Sequence, residues 1–186
     1  MKTIQILVII ILLSIIGCSE NRVDYIAEGN RILASNNMDS LDYRNALKLF
    51  KTELKDNPDN TEAQLGLAQV YGRLSLPDSA ILVLSNSIEK KKLDIAKLLV
   101  GKGMFRFING DYAESIEDFK SSLKYNPQNQ QSYDLIINSI IWQKYFKDNV
   151  WVNFGSEDVI KIIDEVYPAN FANKPSYEKF INPKEL

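Results

Sequence analysis

Residues of similar character recur every 34 to 35 positions along this chain, and this spacing constrains the fold more than any other feature. One position of each period holds a small residue, and the position four residues later holds a large apolar one: Ala46, Ala80 and Ser115, then Phe50, Leu84 and Phe119. A period of roughly 20 to 50 residues is typical of stacked structural units. Because a single unit of this size cannot bury its own apolar face, about three units must stack to form a core.

Each period predicts two helices joined by a turn, since large apolar residues lie three and four apart and Asn-Pro pairs follow helix ends at 57–58 and 126–127. Residues 110–119 resemble the second half of a tetratricopeptide repeat (TPR), and residues 67–84 and 42–50 resemble earlier copies. The resemblance implies an all-α, TPR-like α-solenoid of about three to four helical hairpins. The alternative is an unrelated helical bundle in which this spacing is accidental. Both interpretations are helical, because no strand-like alternation of useful length follows residue 22.

The repeats are expected over residues 23–147, and a capping helix with an aromatic tail over residues 148–186. Residues 130–147 predict the first helix of a fourth unit, after which Ser156 would cap a helix that Pro168 ends. The tail that follows holds three aromatic residues, Phe171, Tyr177 and Phe180. These rings either pack against the cap helices as core or form a docking surface for a partner.

A short apolar segment opens the chain. It follows Lys2, runs from Ile4 to Ile16 and ends just before Cys18, the one cysteine of the sequence. A helix that spans a bilayer needs about 20 apolar residues, so this segment is typical of a removable secretory signal instead. Residues 15–18 resemble a bacterial lipobox. The alternative is an ordinary signal peptide, or an N-terminal anchor with an incidental thiol.

The lipobox resemblance implies a lipoprotein. Residues 1–17 would be the signal peptide, Cys18 would carry diacylglycerol on its sulfur and an acyl chain on its new amino group, and residues 18–22 would form the acylated tether. Attachment through more than one acyl chain is stable. Asp directly after the cysteine resembles an inner-membrane retention signal in enterobacterial lipoproteins, so Ser19 at that position favours the outer membrane of a bacterial cell envelope.

The sequence contains no histidine and a single cysteine, which removes the commonest general base and the commonest metal ligands. Ser-His and Cys-His catalysis are thereby excluded, and the catalytic options that remain are carboxylate chemistry and a Ser-Lys pair. We expect no enzyme activity, no metal and no cofactor. The 22 basic and 24 acidic residues are interleaved and leave a net charge of −2, so nucleic acid is not an expected partner.

In the TPR family, the first helix of each unit lines a concave groove that binds partner segments. The resemblance therefore implies partner-binding residues on the predicted first helices: Asn30, Gln69, Arg73, Lys97, Met104 and Asn138. Some relatives hold chaperone tails with a five-residue carboxylate clamp, of which only Asn30 and Lys97 are matched here. Ile26, Gly66 and Gly101 stand at the other three positions and supply neither an amide nor a cation.

The anchor and the repeats together predict a lipid-anchored TPR adaptor in the bacterial envelope. Its expected partner is an extended segment or helix of another envelope protein, held in the groove without catalysis. The alternative is a lipoprotein that binds a small molecule or glycan through the aromatic C-terminal region, because aromatic faces stack on sugar rings.

Overall fold

The computed structural model of this protein describes residues 24–35, 39–90, 94–147, 150–151, 155–172 and 174–180. The predicted signal peptide, Cys18 and the tether lie outside the described residues. Among the helices that are described, none is both long enough and apolar enough to cross a membrane.

Helices dominate the structure, as the repeat predicts. The described residues form eight α-helices: α1 Tyr25–Leu33, α2 Ser40–Asp56, α3 Thr61–Arg73, α4 Pro77–Glu89, α5 Ile95–Asn109, α6 Tyr112–Tyr125, α7 Gln130–Tyr145 and α8 Ser156–Val166. A short 3-10 helix, Tyr177–Phe180, follows α8. The predicted all-α class is confirmed.

The helices are arranged as stacked hairpins. Each helix packs against the next one along the chain, and further contacts join α1 to α3, α3 to α5 and α5 to α7. The first helices of successive hairpins therefore form one side of the stack, and α2, α4 and α6 form the other. Nearest-neighbour packing of this kind is the property that defines a solenoid.

The first helices begin in the same way in all four hairpins. In each, an Asp or Asn side chain accepts a hydrogen bond from a backbone N–H of the first turn: Asp24 from Ala27 at 2.9 Å, Asn60 from Ala63 at 3.1 Å, Asp94 from Lys97 at 3.1 Å and Asn129 from Ser132 at 3.4 Å. These caps satisfy N–H groups that would otherwise lack a partner, so each one sets where a helix starts. They lie 34 to 36 residues apart and carry the period of the repeat.

The connection between α7 and α8 differs from the prediction. The helix α7 ends at Tyr145 rather than at residue 147, and strands β1 (Phe146–Lys147) and β2 (Val150–Trp151) form a short antiparallel ladder. Phe, Val and Trp favour extended backbone, which explains the ladder locally. Ser156 is the first residue of α8 and not its cap. Gly155, with extended backbone, takes the cap position, and its N–H donates to the Asp158 carboxylate at 3.0 Å.

The ring of Phe50 holds the first two hairpins together. This side chain of α2 is fully buried and lies between Gly29 of α1 and Gly66 of α3. A Cβ atom on Gly29 would lie 2.6 Å from the ring, and one on Gly66 would lie 2.3 Å from it. Real Cβ atoms do not approach so closely, so the two glycines let three helices meet around one ring.

Gly66→Ala is expected to lower the free energy of unfolding by about 1–3 kcal/mol, because the added methyl group forces the Phe50 ring or the α3 backbone to move. Without the clash, replacing glycine by alanine inside a helix would raise the free energy of unfolding by about 1 kcal/mol. Chemical denaturation measures the difference.

The matched control is Gly66→Ala in a Phe50→Leu background, where the smaller side chain leaves room for the methyl group. The cost should then largely disappear. An equal cost in both backgrounds would show that Phe50 is not the reason why this position requires glycine.

Candidate functional site

Two adjoining clefts lie on the side of the stack formed by the first helices. The larger, which we call the apolar cleft, has a volume of about 720 Å³ and is lined by Leu33, Gln69, Gly72, Arg73, Ser75, Pro77, Met104, Phe105 and Ile108. The smaller, the polar cleft, has a volume of about 330 Å³ and is lined by Glu62, Leu65, Gln69, Lys97, Val100, Gly101, Met104, Asn129 and Gln131. Gln69 and Met104 line both clefts, so the two form one continuous groove across α3 and α5.

The apolar cleft exposes hydrophobic side chains that the fold leaves uncovered. Met104 is 41% exposed and Ile108 is 69% exposed, although both lie on a helix whose other face is buried. Phe105 packs closely against α3, since a Cβ atom on Gly72 would lie 2.4 Å from its ring. The cleft therefore offers an apolar floor with the exposed guanidinium of Arg73 at its edge.

An ion pair marks the polar cleft. Lys97 Nζ lies 2.8 Å from Glu62 Oε1, and this hydrogen bond raises the pKa of the Lys97 ammonium. Both side chains are more than half exposed, and an exposed pair of this kind contributes little to stability. A charged group of a bound segment could therefore replace Glu62 or Lys97 in this ion pair at a small cost in stability.

The sequence-predicted partner-binding residues fall into two groups. Gln69, Arg73, Lys97 and Met104 line the groove, as described above. Asn30 and Asn138 line neither cleft. Asn30 is exposed on α1, and it is Leu33, at the end of that short helix, that reaches the apolar cleft.

Other groove residues were not predicted from the sequence. Leu33 and Ile108 are apolar residues in the last turns of their helices, where the pattern is typical of core packing. Glu62 looks like an ordinary acidic residue in the first turn of a helix, which the helix dipole favours. For Glu62 a signal exists in the repeat itself, because Lys97 lies 35 residues later and faces it from the next first helix.

A second charged cluster lies between α5 and α6, away from the groove residues. The buried carboxylate of Asp118 lies 2.9 Å from Lys102 Nζ and 2.9 Å from Arg106 Nη1. Burial raises the pKa of the Asp118 carboxyl, and the two neighbouring cations act in the opposite direction. Because the Asp118 carboxylate pairs with both cations inside one hairpin, these charges are neutralised within the fold and join α5 to α6.

The aromatic tail packs as core. The rings of Tyr133, Tyr167 and Phe171 contact one another with centroids 4.8 to 5.1 Å apart, and Phe180 is 1% exposed in the same cluster. The Tyr167 hydroxyl donates to Asp134 at 2.7 Å, and both burial and this bond raise the pKa of that hydroxyl. These contacts cover the exposed side of α7, which a terminal unit of a solenoid must do.

Phe180→Ala is expected to lower the free energy of unfolding by about 3–5 kcal/mol, because it empties a fully buried site. The control is Glu178→Ala, an exposed position in the same 3-10 turn, which should change stability by less than about 0.5 kcal/mol. Thermal or chemical unfolding monitored by circular dichroism measures both. Similar small effects from the two substitutions would show that the tail does not belong to the core.

Solved structures share this architecture. A MamA protein structure aligns at a TM-score of 0.52 and 17% identity, covering 76% of this chain and 69% of that chain. YrrB, described as a TPR protein with an unusual peptide-binding site, aligns at 0.51 and 17% identity, covering 78% of this chain and 69% of its own. No family model and no curated protein matches the sequence. The predicted TPR-like α-solenoid is therefore confirmed as the fold.

Proposed function

We propose that this protein is a lipid-anchored adaptor of the bacterial cell envelope, which holds a segment of another envelope protein in the groove across α3 and α5. The observation that carries the proposal is the continuity of the two clefts. An apolar floor next to hydrogen-bonding and charged side chains suits a peptide, which presents side chains and backbone polar groups together.

The chemistry of the groove indicates how such a segment would bind. Met104 and Ile108 offer contact area to an apolar side chain, and burying that area from water would supply most of the affinity. The Gln69 amide can donate a hydrogen bond to a peptide backbone and accept one from it, while the Arg73 guanidinium can pair with an acidic group of the segment. YrrB is described as carrying a peptide-binding site, and a peptide is the class of ligand that we propose here.

The residues available do not favour catalysis. The sequence lacks histidine, and Asp118, the most buried carboxylate among the residues that the structure describes, is paired with two cations inside a hairpin. The alternative, a small-molecule or glycan site in the aromatic C-terminal region, receives no support from the tail. Phe180 is buried in the core cluster, Phe171 and Tyr177 pack against that cluster, and the Phe171 ring meets the rings of Tyr133 and Tyr167 in edge contacts.

The groove is tested by site-specific photo-crosslinking in cells. A photoreactive amino acid replaces Met104 in the groove and, as the matched control, Leu82, which is 60% exposed on α4 on the other side of the stack. We expect one discrete adduct from position 104 and none of that size from position 82. Adding Ile108→Asp to the same chain should reduce the adduct at least about tenfold, because it places a charge in the apolar cleft.

Equal adducts from both positions would contradict binding in the groove. If position 104 gives no adduct in cells that contain the protein at its native level, the adaptor function is contradicted.

The anchor is tested separately by Cys18→Ser. We expect the substitution to abolish acylation and signal removal and to change the membrane fraction in which the protein is found. Incorporation of a labelled fatty acid and the mass of the mature chain provide the readout, with Ser19→Ala as the control that should leave both unchanged. Identical processing of the Cys18→Ser chain would exclude the lipoprotein assignment and leave the groove proposal untouched.

A further inference from the structure

The outer surface of α2 carries a row of basic side chains that the adaptor function does not use. We call it the basic face, and it consists of Arg44, Lys48, Lys51 and Lys55. Spacings of four, three and four residues place the four side chains within about 60° of one another around the helix. All four are exposed and together border a shallow depression on the surface of α2.

None of these four cations forms an ion pair with any residue that the structure describes. Two acidic residues of the same helix are engaged by other groups, and the third, Asp56, borders a different depression together with Asp24 and Glu53. Asp42 accepts the backbone N–H of Asp39, and Glu53 accepts hydrogen bonds from Asn57 and Asn60 at 2.8 Å. The basic face therefore presents uncompensated positive charge on a protein whose net charge is −2.

The equivalent faces of the later hairpins are not basic. On α4 the corresponding positions, 34 residues on, hold Asp78, Leu82, Ser85 and Glu89. On α6 they hold Ala113, Glu117, Lys120 and Lys124, and Glu117 pairs with Lys120 at 3.1 Å. Among the outer faces of these three helices, a row of four cations occurs on α2 alone, whereas a purely solubilising surface would carry mixed charge on each of them.

The first hairpin is also where the proposed anchor would attach. Asp24, the cap of α1, borders the same surface depression as Glu53 and Asp56, so the chain reaches α1 beside the C-terminal end of α2. Five residues separate Cys18 from Asp24, and the six steps between their Cα atoms span at most about 22 Å. The basic face is about 16 Å long, since eleven helical rises of about 1.5 Å separate Arg44 from Lys55. An acylated Cys18 would hold this face within reach of lipid headgroups.

We infer that the basic face binds the anionic phospholipid surface of the membrane, so that the first hairpin lies on the bilayer and the groove on the opposite side of the stack faces away from it. The inference rests on the proposed lipid anchor. Leu41, which is 59% exposed one turn before Arg44, adds an apolar contact at the end of the face. Lipid headgroups are favoured over duplex nucleic acid as the anionic partner because the proposed anchor would hold this face at a membrane.

The test uses the chain from position 18 onward with Cys18→Ser, which carries no lipid and retains every described residue. Cosedimentation with phosphatidylcholine vesicles is measured with and without about one quarter phosphatidylglycerol. We expect binding to the anionic vesicles alone, lost at about 0.5 M salt. Each basic residue near such a surface raises the partition coefficient onto the vesicles about fivefold. The double substitution Lys51→Glu/Lys55→Glu should therefore lower that coefficient about 25-fold or more.

The matched control is Lys120→Glu/Lys124→Glu, which changes the same two repeat positions on α6 and the net charge by the same amount. It should weaken partitioning by no more than about threefold, and circular dichroism checks that both variants are folded. The inference would be overturned if both variants lost vesicle binding equally, or if the parent chain did not bind anionic vesicles. It would also be overturned if the parent chain bound duplex DNA more tightly than anionic vesicles. Acylation of Cys18 is measured separately, by the fatty-acid labelling described above. If the protein is not acylated in cells but the parent chain still binds anionic vesicles, the lipid anchor is rejected and the basic face is not.

Discussion

The close approach of helix backbones around buried rings is the constraint on which the remaining structure depends. Phe50 is enclosed by Gly29 and Gly66, and the ring of Phe119 contacts Gly103 so tightly that a Cβ atom there would lie 2.6 Å away. A ring on a second helix can come this close to the backbone of a first helix only where the facing residue is glycine. This condition, repeated along the chain, sets the spacing between hairpins and turns the first helices of successive units toward the same side.

The two surfaces of functional interest follow from this stacking. First helices in contact leave a groove between α3 and α5, where Gln69 and Met104 link an apolar cleft to a polar one. Second helices on the other side leave their outer faces to solvent, and only α2 fills that face with unpaired cations. A protein held by lipid at its first hairpin and occupied on its groove side would use both sides at once, with the bilayer on one and the partner on the other.

The sequence predicts the groove only in part, and the reason is geometric. A repeat period places residues on a first helix but does not say how far along the groove each helix reaches. The nine residues of α1 end at Leu33, so this residue rather than Asn30 borders the apolar cleft. Ile108 escapes prediction because an apolar residue near a helix end looks like core until the neighbouring helices are in place. The short ladder after Tyr145 escapes it because two-residue strands leave no periodicity to detect.

The sequence by itself determined the helical class, the length of the repeat and the positions of the small and large packing residues, because these depend on patterns local to one or two helices. It also carries the lipobox resemblance, which rests on residues 15–18 alone. Only the tertiary structure decided which exposed side chains meet in one groove, that the aromatic tail is core, and that Arg44, Lys48, Lys51 and Lys55 remain unpaired by the described residues. These properties depend on contacts between residues distant along the chain, which packing alone creates.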